Sequence, residues 1–332
     1  MKSRWVSLSA GWLVILLTSA LMAQGEKYVF LENFDGASPP ALPVGWTMLN
    51  ANADSQTWET VNFGGARGGP CVRYLSHPAN TADDWFFTPA IALAASTQYT
   101  LSFESRVTSP ANPHHLSVWV GTSPTTAAMT TQILDRPSLS NREMATTTGT
   151  LTTGAAGSYS IGFHCTSNPN QLALYVDNVV LSVPATDLQI RFQLDKAFYQ
   201  AGANTFSSTE PIKCLVYVKN VTTSPLTVNS LLSLGHDGDP EVVLSFLATA
   251  PGGAPLEFRQ RYRLPLPAPA DIKALQPGEA AYKYYDLKGG AFNFTTTGTY
   301  TIRAVYKNLN KSAGPPVWLG RLVSDPVQIR IP

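Results

Sequence analysis

The chain reads as an all-β protein built of two sandwiches. Three observations point there. Gly 24 and Pro 25 in 332 residues, with Thr and Ser throughout, break the chain into short segments. Many of these segments alternate apolar and polar residues, which is the period of a half-buried strand. Long amphipathic helical repeats are absent, so strand layers are the way to bury apolar faces. At this length two domains are expected.

The chain opens on a targeting pattern over Met1–Ala23. Lys2 and Arg4 are positive, Trp12 to Leu17 are apolar, and Leu21-Met22-Ala23 offers permissive residues before a cleavage point. That is the pattern of a secretory signal peptide. Its apolar run falls short of the ~20 residues that a spanning helix needs. No later stretch is apolar enough to span either, so no membrane insertion of the mature chain is expected, and it should be secreted or held at the cell surface. Charged residues make up 14% of the chain and the formal net charge is +1. A nucleic-acid or membrane-surface binder would carry a basic patch instead.

A first strand ends with Glu32 and Asp35. A Pro-rich connection leads to a second strand at Gly45-Trp46. Asn50, Asn52 and Asp54 then place oxygen side chains at every second position, closed by Trp58. Hard oxygen donors among small residues suit Ca²⁺, which takes six to eight oxygens in flexible geometry. The plain alternative is a polar turn. Asp84-Trp85-Phe86-Phe87-Thr88-Pro89 follows, and then alternating strands at Gln98–Glu104 and Leu116–Gly121. Thr146–Gly157 reads as a Thr- and Gly-rich connection, Ser158–Cys165 as a strand, and Asn168-Pro169-Asn170 as a turn. Leu172–Val183 closes the unit with one carboxylate, Asp177, inside an apolar strand. A charge there needs a partner, because burying it alone is costly.

Glu32-Asn-Phe-Asp35, Gly45-Trp46, the polar loop ending at Trp58, the 84–89 segment and Tyr175-Val-Asp-Asn-Val-Val-Leu181 occur in a known order. Over Lys27–Val183 the chain resembles the choice-of-anchor J domain, also called the cleaved adhesin domain, of bacterial surface proteins. The resemblance implies a jelly-roll β-sandwich similar to MAM domains and carbohydrate-binding modules. It also implies that the terminal strands lie side by side and that Glu32, Asp35 and Asp177 meet around structural calcium. Carboxylates brought together repel unless protonated or neutralised by a cation. Asn50, Asn52 and Asp54 match a loop that carries more Asp in relatives, so a second calcium there would be weaker.

The boundary falls at Pro184-Ala-Thr-Asp187, and a second unit, Asp187–Pro332, is again β. Leu275–Glu279 is a turn. Gly298–Tyr306 looks like the penultimate strand of an immunoglobulin-like sandwich, where the Tyr of Gly-x-Tyr ties its hydroxyl back to a corner. Ile302 stands where antibody-type domains place a cysteine, so the inter-sheet disulfide is absent. Ala250–Ala270 reads as a long surface connection around one strand. Arg259, Arg261 and Arg263 alternate along a solvated strand face, and Gly235–Pro240 is a turn. The sequons at Asn220, Asn293 and Asn310 are incidental.

Chemistry motifs are sparse. Three cysteines cannot form a disulfide scaffold. Cys165 and Cys214 fall on core phases, and a Cys71–Cys165 bridge is open. His114-His115 reads as a solvated loop. No HExxH and no Gly-x-Ser-x-Gly is present. His164 and Cys165, adjacent in a strand, face opposite ways. Asp83, Asp84 and Glu104 are the acids that a glycosidase pair could draw on. Trp46, Trp58, Trp85, Trp119 and Trp318 suit core packing better than sugar stacking. The expectation is an exported bacterial adhesin-like protein that binds glycan or protein outside the cell, without catalysis and with structural calcium. The alternative is a passive accessory module of a cell-surface or secretion assembly. The ligand is not written in the sequence.

Overall fold

A computed structural model describes residues 25–195, 204–207, 210–237, 242–259, 268–309 and 316–332. The targeting segment Met1–Ala23, Arg261, Arg263, Gly238–Pro240 and Asn310 lie outside the described residues. The described chain is strands and short turns, with no α-helix among them. No described helix is long and apolar enough to cross a membrane.

Twelve strands form the N-terminal half. They are β1 (Gly25–Glu32), β2 (Thr47–Asn50), β3 (Trp58–Val61), β4 (Cys71–Leu75), β5 (Asp84–Phe87) and β6 (Ile91–Leu93). Then come β7 (Gln98–Val107), β8 (His114–Gly121), β9 (Met129–Leu139), β10 (Ala145–Thr152), β11 (Gly157–Cys165) and β12 (Ala173–Pro184). One sheet runs β10-β7-β12-β1, with β4 also on β12 and β3 on β4. The other runs β2-β5-β11-β8-β9, with β6 on β11. Strict alternation in β7 turns Tyr99, Leu101, Phe103 and Val107 inward. They meet Phe86, Leu116, Val118 and Phe163 of the facing sheet in one core that includes Trp46 and Trp58. Phe86 stacks on Phe163 at 4.6 Å, and Phe103 meets Phe163 edge-on at 5.2 Å.

The C-terminal half adds β13 (Leu188–Leu194), β14 (Lys213–Asn220), β15 (Leu226–Asn229), β16 (Leu244–Thr249) and β17 (Ile272–Leu275). It closes with β18 (Ala280–Asp286), β19 (Gly298–Asn308), β20 (Gly320–Val323) and β21 (Val327–Ile331). A β13-β14-β18 sheet and strands β16, β19, β20 and β21 enclose a second core holding Cys214, Val216, Phe246, Ile302 and Trp318. Tyr300 donates its hydroxyl to the Thr296 carbonyl at 2.7 Å and accepts the Thr296 N–H at 2.9 Å, the corner tie read from Gly-x-Tyr. The first core draws on residues up to Val183, the second on residues from Ala185 onward. One sheet nevertheless passes through both halves, because β1 pairs antiparallel with both β12 and β20. Lys27 Nζ reaches Asp187 at 2.5 Å beside this junction.

Several sequence expectations change. The Thr-rich 146–157 stretch is mostly strand: β10 pairs with β7 along its length and turns Thr147 and Leu151 inward. β-branched Thr suits such an edge strand. His114 is not in a solvated loop. It opens β8 and is fully buried, with Nδ1 on Ser167 Oγ at 2.9 Å and Nε2 on the Gln171 carbonyl at 3.0 Å. Burial lowers its pKa to about 4, so the ring is held neutral. Cys71 and Cys165 are both free and buried. Cys165 faces the sandwich core, while Cys71 packs with Val61, Ala173 and Tyr175 outside it, so the two sulfurs belong to different layers. Arg259 lies outside any strand.

Candidate functional site

The polar centre of the N-terminal half lies where β12 changes partners. β4 pairs with Ala173–Val176 and β1 with Val179–Pro184, so Asp177 and Asn178 fall between them. The register with β7 slips between Asp177 and Val180, and Asn178 adopts φ 50°. Such a bulge re-aims side chains. Asp177 points away from the core, yet it is only 3% exposed. The turn at Gly65–Gly69 accounts for the cover: the Ala66 N–H donates to Asp177 Oδ2 at 2.7 Å. Asn178 N–H donates to Oδ1 at 2.6 Å. A Cβ on Gly65 would fall 2.6 Å from Asp177 Oδ2 and 2.4 Å from the Pro70 carbonyl, so the turn can close over the acid only as glycine.

Burial pushes Asp177 up to about 7, against the two N–H donors, with Glu104 and Asp35 adding repulsion. Asp35 is thus one of the charges that act on Asp177. Glu32 is engaged by the backbone that follows β1. Its Oε1 accepts the Phe34 N–H at 3.0 Å and shapes the turn after β1. Glu104, directly opposite Asp177 in register, is held by Asn178 Nδ2 at 2.8 Å. Sequence reasoning missed this role. The outward phase of Glu104 was readable, but the register that sets it against Asp177 was not. Among the described residues, no three His, Cys, Asp or Glu side chains form a ready metal cluster. A cation here would draw the rest of its shell from backbone carbonyls and water. Oxygen donors of this kind would suit a hard ion.

The Asn50–Asp54 loop is organised differently. Asn50 Nδ2 donates to the Asp54 and Gln56 carbonyls at 2.7 and 3.0 Å. Asn52 Nδ2 donates to Asp54 Oδ2 at 3.1 Å and to the Thr81 carbonyl at 2.7 Å. Asp54 Oδ1 accepts the Gln56 N–H at 2.7 Å. Amide hydrogens therefore engage both Asp54 oxygens, while Asn50 Oδ1 receives none. Asn50 stands opposite Asp84, whose carboxyl is fully buried and raised to about 6 by burial. Asn50 Oδ1 and Asp84 Oδ1 have no hydrogen-bond partner. A proton kept on Asp84 would supply the donor that both oxygens lack.

Residues 28–160 match the Cleaved Adhesin Domain family model. Among solved structures, the K3 cleaved adhesin domain of Lys-gingipain from Porphyromonas gingivalis is similar at 18% identity. The match covers 48% of this chain and 99% of that one, with a TM-score of 0.39. The K2 cleaved adhesin domain of Lys-gingipain is similar at 15% identity, over 46% of this chain and 98% of that one, with a TM-score of 0.40. The CBM22-2 xylan-binding domain of Xyn10C from Paenibacillus barcinonensis is similar at 11% identity, over 47% of this chain and 99% of that one, with a TM-score of 0.34. No curated protein matches the chain.

Within the N-terminal half the tryptophans divide by sheet face. Trp46 and Trp58 are in the core. Trp85 and Trp119 are on the outer face of the second sheet with Phe87 and Met129. Trp85 stacks on His164 at 3.9 Å, and His164 Nε2 meets Asp83 at 2.7 Å. The Asp84-Trp-Phe-Phe segment thus serves both sides, with Phe86 inward and Trp85 and Phe87 outward. The acids do not assemble a glycosidase pair: Glu104 belongs to the outer face of the first sheet, and Asp84 to the β2-β5 pair of the second.

Proposed function

We propose that the protein is an exported, non-catalytic binding protein that recognises glycan or protein outside the cell. The observation that carries this reading is the Cleaved Adhesin Domain match over residues 28–160. An adhesin-type binding role follows from that match at the level of class, and the ligand is the proposed part. Export rests on the targeting pattern at Met1–Ala23. The C-terminal half is proposed as an immunoglobulin-like sandwich, supported by its two-layer core and the Tyr300 corner.

Calcium is proposed as a structural ion. Asp177, Asp35 and Glu104 would hold it, with Glu32 close by in the chain. Asn50, Asn52 and Asp54 are a weaker proposal, since their loop is already tied by its own hydrogen bonds. When bound, the ion supplies positive charge to a buried acid group and so pins β1, β12 and the Gly65–Gly69 turn together. A glycan array combined with a protein pull-down tests the binding reading. A specific ligand is the expected result, and the absence of any ligand in both would favour the passive accessory module.

A further inference from the structure

β18 is an open edge. Among the described residues it pairs with β14 alone, in one unbroken register from Lys213↔Asp286 to Lys219↔Ala280. Just beyond the two ends, the Asn220 N–H donates to the Glu279 carbonyl and the Leu287 N–H to the Ile212 carbonyl. Antiparallel pairs alternate between bonded and non-bonded. Ala281, Lys283 and Tyr285 therefore turn their backbone groups to β14, and Ala280, Tyr282, Tyr284 and Asp286 turn theirs outward. Side chains are uncovered on both faces of this edge. Tyr282 is 66% exposed and Tyr284 60% on one face, and Lys283 is exposed on the other. The two rings meet edge-on at 6.4 Å.

A row of outward N–H and C=O groups is complementary to another strand. Three features decide whose strand it is. The face is balanced in charge: Arg191, Lys213 and Lys219 stand against Asp195, Asp286 and Asp325, with Arg191 bonded to Asp325 at 3.1 Å. It therefore meets a copy of itself without net repulsion and gives a polyanion or a polycation no hold. A foreign strand is selected by pockets for its alternate side chains, whereas beside this edge rings project. Two copies of the edge, finally, fit each other in a definable register. Two-fold pairing centred on Lys283 would set like charges directly opposite, which is destabilising. Pairing centred on Tyr284 keeps the lysines apart and joins the outward groups of Tyr282, Tyr284 and Asp286. It sets the Tyr284 ring against its own copy and Lys283 against Tyr285 of the second copy. Centred on Tyr282 instead, Tyr284 would face only Ala280. We propose that β18 joins two copies of this chain edge to edge, antiparallel about Tyr284, so that two three-stranded sheets become one. The proposal is independent of the ligand reading. Its consequence is two N-terminal halves in one molecule, which raises avidity for a repeated ligand.

Analytical ultracentrifugation of the full chain over a range of concentrations tests it. The parent should pass from monomer to dimer as concentration rises. Tyr284→Pro deletes an outward N–H and no bond to β14, a place where an edge strand tolerates proline. It removes two bonds across the seam, one from each copy, and should weaken the dimer roughly tenfold or more. Tyr282→Lys/Tyr284→Lys keeps every backbone group, brings like charges together across the seam and should weaken the dimer as well. On oxidation Tyr284→Cys should cross-link two chains, because the two-fold sets that position opposite itself at a spacing that a disulfide spans. Tyr282→Cys, set against Asp286, should not. A chain that stays monomeric at every concentration would overturn the proposal, as would a dimer that the proline and lysine variants both leave intact. Cross-linking through Tyr282→Cys and not through Tyr284→Cys would overturn it too.

Discussion

The pocket around Asp177 and the Asn50–Asp54 loop look alike in sequence: both offer several side-chain oxygens to a hard cation. In the fold they are opposites. The loop carries its own amide donors, which engage both Asp54 oxygens but leave Asn50 Oδ1 without a partner. Asp177 is buried under repulsion from Glu104 and Asp35 and is met by two backbone N–H groups, with Glu104 held by one amide. Spacing of oxygens is therefore weak information about a metal. The informative quantity is how much negative charge remains after local donors have been counted.

The largest expected effect separates the two places directly. Calcium at a hundredfold excess over its dissociation constant should stabilise the chain by about 2.7 kcal/mol, or roughly 5–10 °C in the melting of the N-terminal half. Asp177→Asn should abolish that shift and cost about 1–3 kcal/mol in chelator, since an amide offers one acceptor to the two N–H groups of Ala66 and Asn178. Asp54→Asn should leave the shift nearly intact. Thermal melts with calcium and with chelator check this, and equal melts of the parent in both would dismiss the ion.

A second change attacks the cover of the pocket. Gly65→Ala should destabilise by about 1–3 kcal/mol, the usual cost of forcing atoms into packed space. Its φ of −74° is ordinary, so the loss comes from the contacts with Asp177 and Pro70 and not from backbone strain. Urea melts give the magnitude, and an unchanged midpoint would place the turn elsewhere.

The pH dependence sharpens the contrast further. Burial raises Asp177 to about 7 and Asp84 to about 6 in the fold, both well above the ordinary carboxylate range. Between the ordinary carboxylate range and these values the unfolded chain is ionised while the folded one keeps its protons. In chelator, stability should therefore fall as pH rises from about 4 to about 7 and then level off. Calcium competes with the proton on Asp177, so its stabilisation should be greatest above pH 7 and shrink toward pH 5. Melts across this range, with and without calcium, give the two curves; a calcium shift independent of pH would sever it from Asp177.

The smallest effect belongs to the loop. Asn52→Ala removes the bonds to Asp54 and the Thr81 carbonyl and should cost about 1 kcal/mol without altering the calcium response. A loss of calcium response in that variant would reverse the ranking of the two places.

The sequence carried the strands well where one face is buried. The alternation around Phe103, Val118 and Phe163 is plain, and so is the polar interruption at Asp177. Thr146–Gly157 was harder, because Thr suits both a loop and an edge strand. His114 was misplaced because two uncharged partners distant in sequence, Ser167 Oγ and the Gln171 carbonyl, make its burial tolerable. Glu104 needed the β7–β12 register, and the outward pair Tyr282 and Tyr284 needed the β14–β18 register. Strand pairing over long separations leaves no trace in local periodicity.

The pairing of β1 with β20 bears on the order of events as the chain is made. Residues 25 and 322 are strand partners far apart in the chain. Material for the first core is complete once Val183 has been added, yet the outer edge of Gly25–Lys27 stays open until Gly320–Leu322 arrives. An open strand edge invites pairing with other chains. This one is only three residues long, and glycines stand on both sides of the seam: a Cβ on Gly25 would lie 2.1 Å from the Arg321 carbonyl, and one on Gly320 2.2 Å from the Glu26 carbonyl. The stretch that waits for the tail is thus kept short, and its partner must present bare backbone to cover it.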